Sequence, residues 1–374
     1  MAQKRIMVIS SDTSSDLYGA RLTKALKSII PDVPLFGVGG LMMEESGVRL
    51  LYNLSELENL GGFEALKTPH VVKRLVQRIA GSMDKFRPEL VVQIGLPVFS
   101  LKLIELAKAK GLPVVYYNSP LNWGAEPVKL SRLAQVVDKV IAVSRYEARI
   151  CESHGINVEF AGHPLVDVAA DADLALRGGL DLAEGMPVAV LLPGCREAEV
   201  KMYLPTLLKA VKRINMECRL QTVVAVPKMI RQECCGAMIE KSGLENVKVT
   251  DDIPGILSAA DVAVVTSGMD SILAAAARVP AAAVHREATT AYFVDKMLLR
   301  RSHFAVINFL MQEEILPELV QTEFTETKVA EAVLRLLNDS QARSEYFHRL
   351  ERLPEELGAP GATDRAARII TGML

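Results

Sequence analysis

Short runs of aliphatic and β-branched residues alternate along this chain with segments whose apolar positions recur every three to four residues. RIMVIS (5–10) leads into a helix predicted near 15–30, and LVVQIG (90–95) leads into LKLIELAKAKG (101–111). PVVYYN (113–118) follows, DKVIAV (138–143) precedes a helix ending near His154, and VEFAG (158–162) closes the series. Strands apolar on both faces, each followed by a helical crossover, predict a parallel sheet covered by helices on both sides.

The pattern breaks at DVAADADLALRGGLDLAEG (167–185), which is rich in Ala, Asp and Gly, carries no strand signal and reads as the joint between two domains. Alternation restarts with VAVLLPG (188–194), a helix to about Ile214, LQTVVAV (220–226), a helix to Ser242, VKVTD (247–251), a short helix and DVAVVTSG (261–268). An Ala-rich helix (268–277), PAAAVH (280–285) and mostly helical sequence complete the chain, and no short-period repeat is present. The expected fold class is α/β: two Rossmann-like, doubly wound domains, 1–168 and 169–354, facing a cleft. Such sheets bind ligands at the carboxyl ends of their strands, so the cleft would join two substrates, one held by each half.

Composition narrows the class. The 374 residues suffice for two full cores at roughly 100–200 residues each. With 43 basic against 45 acidic residues the net charge is −2, and no overall field recruits nucleic acid or an anionic membrane. Cys151, Cys195, Cys218, Cys234 and Cys235 form no C-x-x-C, and their odd number fits a reducing compartment; the adjacent Cys234 and Cys235 read as incidental. The first apolar run is too short for a secretion signal, and Arg278 and Pro280 interrupt the longest one, ILAAAARVPAAAV (272–284), so a soluble cytoplasmic protein is expected.

Several chemistries lack their motifs. There is no Walker A loop and no strict G-x-G-x-x-G; GVGG (37–40) is too short for that fingerprint. The six histidines are scattered without H-E-x-x-H, so no metal site is expected. What remains is a pair of strand ends in the second half. LLPGCREAEV (191–200) leaves a strand through Gly194 and Cys195 and places Arg196 at a helix mouth, where unpaired N–H groups favour anions. Thr266, Ser267 and Gly268 open the Ala-rich helix in the same way. The two helix starts could grip a diphosphate, or could be ordinary capped helices. Glu197, Glu199 and Asp270 lie in the same first turns and would repel a phosphate, although Glu197 can pair with Lys201. In the first half, SSDTSSDLYGARL (10–22) puts Asp12 and Asp16 where sugar hydroxyls could bind, or Asp16 at a helix cap. His163, in AGHPL (161–165), stands at a strand's ligand end in either a structural or a catalytic role.

Taken in order, SSDTSSDLYGARL, FGVGG (36–40), VVYYNSPLNWG (114–124), VEFAGHPL (158–165), LLPGCREAEVKM (191–202), the Thr266-Ser267-Gly268 strand end, ILPELVQ (315–321) and PGATDRAA (360–367) resemble the lipid-A-disaccharide synthase family over nearly the whole chain. The resemblance implies the glycosyltransferase B architecture, with the C-terminal helix (about 355–374) returning to the first domain. It implies inverting transfer of a diacylated glucosamine from UDP to a diacylated glucosamine 1-phosphate or related acceptor, with UDP released. No cofactor or metal is expected; the UDP-sugar is the donor substrate and a lipid-linked sugar is the acceptor. Peripheral contact with the inner face of the cytoplasmic membrane is part of the family pattern, and a homodimer is left open.

By position, Arg196 matches the arginine of the family's P-G-S-R motif, with Cys195 in place of serine, and Met202 matches a methionine near the same site. Gly194, Thr266, Ser267, Gly268 and Asp270 complete the expected donor side. Ser14 and Asp16 match the family's G-E-A-S-G-D loop, with Asp12 for glutamate and Ser15 for glycine; Ser14, Ser15 and Asn118 form the expected acceptor side. Two departures stand out. Gly95 replaces the aspartate of I-D-x-P-x-F, with Val98 where a second acid often stands, and Leu273 replaces the glutamate of S-G-T-x-x-L-E that is expected to bind ribose. The family's apolar patch is here LENLGGFEAL (57–66), diluted by Glu58, Asn59 and Glu64. Asp12, Asp16 and His163 are the candidate substitute bases. Three readings stay open: a UDP-sugar-dependent hexosyltransferase, a nucleotide-sugar-binding homologue without catalysis, and a UDP-sugar epimerase.

Overall fold

The computed structural model describes the chain apart from residues 1–3, 11, 55–68, 96–99, 119–126, 173–179, 229, 231 and 287–302. The diluted patch at 57–66, Val98 and the segment 119–124 therefore lie outside the described residues. The chain forms two compact units: Met1–Pro164 with Leu357–Leu374, and Leu165–Glu356. Residue 168, expected as the boundary, lies within the helix Pro164–Ala170. The backbone passes from one unit to the other at the start of that helix and returns at Leu357.

The first unit holds seven parallel strands in the order β3-β2-β1-β4-β5-β6-β7: β1 (Ile6–Ile9), β2 (Leu35–Gly39), β3 (Arg49–Asn53), β4 (Leu90–Ile94), β5 (Val114–Tyr117), β6 (Lys139–Ala142) and β7 (Val158–Phe160). Its central strands are buried on both faces, as continuous apolar runs require. Met7, Ile9, Val91 and Tyr116 share one core cluster with Ile79, Leu103, Ile104 and Leu133.

The second unit holds six parallel strands in the order β10-β9-β8-β11-β12-β13: β8 (Val188–Leu192), β9 (Gln221–Ala225), β10 (Val247–Thr250), β11 (Val262–Thr266), β12 (Ala281–His285) and β13 (Glu318–Val320). The long helix Glu197–Glu217 and the helix Glu326–Asn338 cover this sheet through Leu204, Leu207, Val211, Val329 and Val333. In both units the strand order reverses beside the first strand, between β1 and β4 and between β8 and β11. These reversals are where doubly wound sheets open a crevice for ligands.

The C-terminal helix Ala362–Thr371 packs on the helix Thr13–Ile29 of the first unit. Arg365 ties it down by donating to the Ala161 carbonyl at 2.7 Å, and the His163 amide donates to the Leu357 carbonyl at 2.7 Å. A Cβ on Gly162 would stand 2.9 Å from the Arg365 guanidinium, so glycine is what permits the close approach. Among the described residues no helix is long and apolar enough to cross a membrane.

Candidate functional site

The structure assembles two groups of the expected residues, one at each strand-order reversal. In the second unit, β8 and β11 are paired neighbours, with Leu192 opposite Val265, so Gly194–Arg196 and Thr266–Gly268 leave adjacent strand ends. Gly194 takes a left-handed φ of 112°, which turns the chain so that Arg196 becomes the N-cap of the helix Glu197–Glu217. No side-chain cap bond comes from Arg196. The third helical residue, Glu199, reaches back instead, in the manner of a capping-box glutamate. One of its carboxylate oxygens accepts from the Cys195 amide at 3.0 Å, and the other accepts from Arg196 Nε at 2.9 Å and from the same guanidinium's Nη2. Glu197 pairs with Lys201 at 3.4 Å, as its spacing predicts.

Asp270, in the helix Met269–Ala276, accepts from the Thr266 hydroxyl at 3.1 Å. Burial pushes its carboxyl up to about 6, the Thr266 hydrogen bond opposes this, and the charge of Glu199 adds to it. Burial, with Glu199 and Asp270 nearby, likewise pushes the Cys195 thiol up to about 12, so the sulfur stays protonated and is no nucleophile at neutral pH. Gly268 caps the helix Met269–Ala276 without a side-chain bond. Ser267 turns away from that helix and shares a 2.8 Å hydrogen bond with His285 Nδ1, whose ring stacks at 4.9 Å on Phe304. Met202 is 43% exposed one turn into the long helix. Leu273 is buried in the core, and Asp270 is the acid on that helix.

The raised Asp270 carboxyl has a measurable consequence. Its proton is held more tightly in the folded than in the unfolded protein, so stability is highest below about pH 4 for this group and falls as pH rises toward 6. The shift from 3.8 to about 6 corresponds to about 3 kcal/mol. Urea denaturation at pH 4 and pH 7 is expected to show this loss in the wild type and not in Asp270→Asn. An equal pH response in both proteins would remove Asp270 as the cause.

In the first unit, β1 and β4 are paired neighbours, with Ile9 opposite Gln93. Asp12 is the N-cap of the helix Thr13–Ile29: its carboxylate accepts from the Ser15 amide at 2.8 Å, and Ser15 Oγ accepts from the Asp12 amide at 3.0 Å. Ser14 is half-buried beside them. Asp16 is buried and spends both oxygens on the start of the helix Leu41–Glu45. Oδ1 accepts from Gly40 and Met43 at 2.6 and 3.3 Å, and Oδ2 accepts from Met42 at 3.0 Å. Burial raises its carboxyl and these three bonds lower it, burial being the larger effect. His163 is buried, edge-on to Tyr18 at 6.0 Å. Asn118 follows β5 in a left-handed conformation, φ 57°.

Gly95 explains itself in this setting. It follows β4 with φ 67°, its amide donates to the Tyr117 carbonyl and its carbonyl accepts from the Tyr116 hydroxyl at 2.7 Å. A Cβ there would lie 2.8 Å from Ser15 Cβ and 3.6 Å from Asp12 Oδ2. Ser15 thus fills the space that a side chain at 95 needs, and the Asp12 carboxylate borders it. Gly95→Ala is expected to cost about 1–3 kcal/mol by overpacking and left-handed strain, and adding Ser15→Gly to recover part of that loss. Additive losses in thermal denaturation would show that the two positions are not in steric contact.

Of the expected residues, Gly194, Cys195, Arg196, Thr266 and Asp270 come together, as do Asp12 and Ser15 with Gly95. Asp16 and His163 are enclosed in packing, and Ser267 is directed to His285. Glu199 and His285 were not among the expected site residues. Glu199 had a signal, the spacing of three from Arg196, whereas the Ser267–His285 pair depends on strand pairing. Among the described residues no group of three His, Cys, Asp or Glu side chains could hold a metal ion.

A family model described as Lipid-A-disaccharide synthetase matches residues 6–370. The lipid-A-disaccharide synthase of Myxococcus xanthus (strain DK1622) is 30% identical over 373 residues, covering 99% of this chain and 97% of that protein. Among solved structures, UDP-GlcNAc 2-epimerase from Neisseria meningitidis bound to UDP-GlcNAc aligns over 98% of both chains with a TM-score of 0.67 at 9% identity. CalG4, the calicheamicin glycosyltransferase, aligns over 100% of this chain and 99% of its own with a TM-score of 0.62 at 16% identity. These structures share the two-sheet glycosyltransferase B fold with this chain.

Proposed function

The chain belongs to the lipid-A-disaccharide synthetase family, and from that premise we propose that it is a UDP-sugar-dependent glycosyltransferase of lipid A synthesis. It transfers a diacylated glucosamine from UDP to a diacylated glucosamine 1-phosphate, with inversion at the anomeric carbon. The observation that carries this reading is Arg196 at the β8 switch point, beside a glycine turn and a backbone N–H that together make an anion cradle.

Each unit has one task. In the second, the Arg196 fork and the Cys195 amide bind the diphosphate and stabilise the charge that builds on UDP as the glycosidic bond breaks. Asp270, beside Thr266, is the carboxyl that takes over ribose binding from the position held by Leu273. In the first unit, the acceptor hydroxyl must lose its proton as it attacks. Asp16 is committed to three backbone amides and His163 is enclosed, so the base is Asp12, whose Oδ2 borders the space above Gly95.

The test is incubation with UDP-2,3-diacylglucosamine with and without 2,3-diacylglucosamine 1-phosphate. Disaccharide formation that needs both supports the reading. Conversion of the donor alone would identify an epimerase, and stabilisation by UDP without turnover would identify a binding protein.

A further inference from the structure

We propose that Glu199 is an internal stand-in for the donor's phosphate, holding the anion cradle closed until the donor displaces it. This deepens the reading above and rests on the diphosphate binding at Arg196. A phosphate at that strand end would use the Cys195 amide and the Arg196 guanidinium, and those are the donors the Glu199 carboxylate now occupies. The Glu199 side chain also lies against the loop itself. A Cβ on Gly194 would meet Glu199 Oε2 at 2.6 Å and its Cβ at 2.7 Å, so the glycine leaves room for the carboxylate as well as for the turn.

Charge makes the exchange necessary. The cradle offers one guanidinium, while Glu199 and, behind it, Asp270 already bring two carboxyl groups. A nucleoside diphosphate adds at least two more negative charges in a partly desolvated loop, where like charges repel strongly. The Glu199 carboxylate must therefore leave the guanidinium, and Arg196, 61% exposed, has room to follow the phosphate. In the unliganded enzyme the carboxylate keeps Arg196 oriented; after transfer it competes with UDP and promotes its release. Glu199 is thus a positioning residue that acts through Arg196.

The experiment is calorimetric titration of UDP into the full chain and into Glu199→Gln, Glu199→Ala, Glu197→Gln and Arg196→Ala at neutral pH. Glutamine keeps an acceptor oxygen for the loop and removes the competing charge, and alanine removes the competitor entirely. Both variants are expected to bind UDP about 5- to 10-fold more tightly than the wild type. Glu197→Gln removes the same charge beside Arg196 from a carboxylate that pairs with Lys201 and not with the cradle donors, and is expected to change affinity less than 2-fold. Weaker or unchanged binding in both Glu199 variants would overturn the proposal and leave Glu199 a structural cap. If Arg196→Ala binds UDP as well as the wild type, the diphosphate site itself is misplaced, a separate failure. If one Glu199 variant does not fold, the other gives the answer.

Discussion

Arg196→Ala is expected to lower kcat/KM for disaccharide synthesis by at least about 100-fold while leaving thermal stability nearly unchanged. The rate loss follows from removing a preorganised donor aimed at developing charge, which typically costs 10²–10³-fold, roughly 3–4 kcal/mol. The stability claim follows from exposure: the Arg196 side chain is 61% exposed, and its ion pair with Glu199 is of a kind that contributes about 1 kcal/mol or less. Arg196→Lys keeps the charge and loses the planar fork, so it is expected to fall between the two. Steady-state kinetics beside a thermal melt separates the effects. Activity within a few-fold of wild type in the alanine variant would place the donor's phosphates elsewhere.

Asp16→Ala has the opposite profile, with folding lost first. The carboxylate accepts from Gly40, Met42 and Met43, joining the helix Thr13–Ile29 to the end of β2 and the start of the helix Leu41–Glu45. Removing it strands three amide donors at a buried helix start, each costing about 1–3 kcal/mol, with relaxation and water entry recovering part. A net loss of about 3–5 kcal/mol is expected, which for a unit of this size lowers the melting temperature by roughly 10 °C. Asp16→Asn keeps one acceptor oxygen and is expected to lose about half as much. Differential scanning calorimetry decides it. A melting temperature unchanged by alanine would show that the three amides find other partners.

The contrast between these two residues indicates how far the chain could be read before folding. Strands buried on both faces, such as VAVLL and LVVQI, announce themselves because every position is apolar, and the structure places β4 and β8 within a residue or two of the expected runs. β2 and β3 were not anticipated. LFGVG carries two glycines, one of which lets the backbone approach Val8 so closely that a Cβ would overlap its carbonyl, and that need is set by the neighbouring strand. RLLYN is an outer strand with exposed and half-buried positions, so it lacks the continuous apolar run.

The turns of the candidate site were legible in the sequence, and its side-chain pairings less so. Arg196 at a strand-to-helix turn is compatible with an anion from local sequence alone, and equally with an ordinary capped turn. Glu199, three residues on, was expected to repel that anion; in the structure its carboxylate accepts from the Cys195 amide and the Arg196 guanidinium. Gly95 looked like the simple loss of an acid. The structure makes it half of an arrangement with Ser15, 80 residues away in sequence but in contact with it across the β1–β4 junction. Asp16 and His163 show the converse: polar residues at a strand's ligand end that tertiary packing commits to structure.

The central claim is that the Arg196 cradle delivers a UDP-linked sugar to a sugar-phosphate acceptor. The most direct measurement is mass spectrometry of the product from UDP-2,3-diacylglucosamine and 2,3-diacylglucosamine 1-phosphate, with UDP quantified in the same reaction. The account predicts one disaccharide 1-phosphate per UDP released, with both abolished when the acceptor is omitted. UDP release without disaccharide, or no turnover from a folded protein that binds UDP, would contradict it.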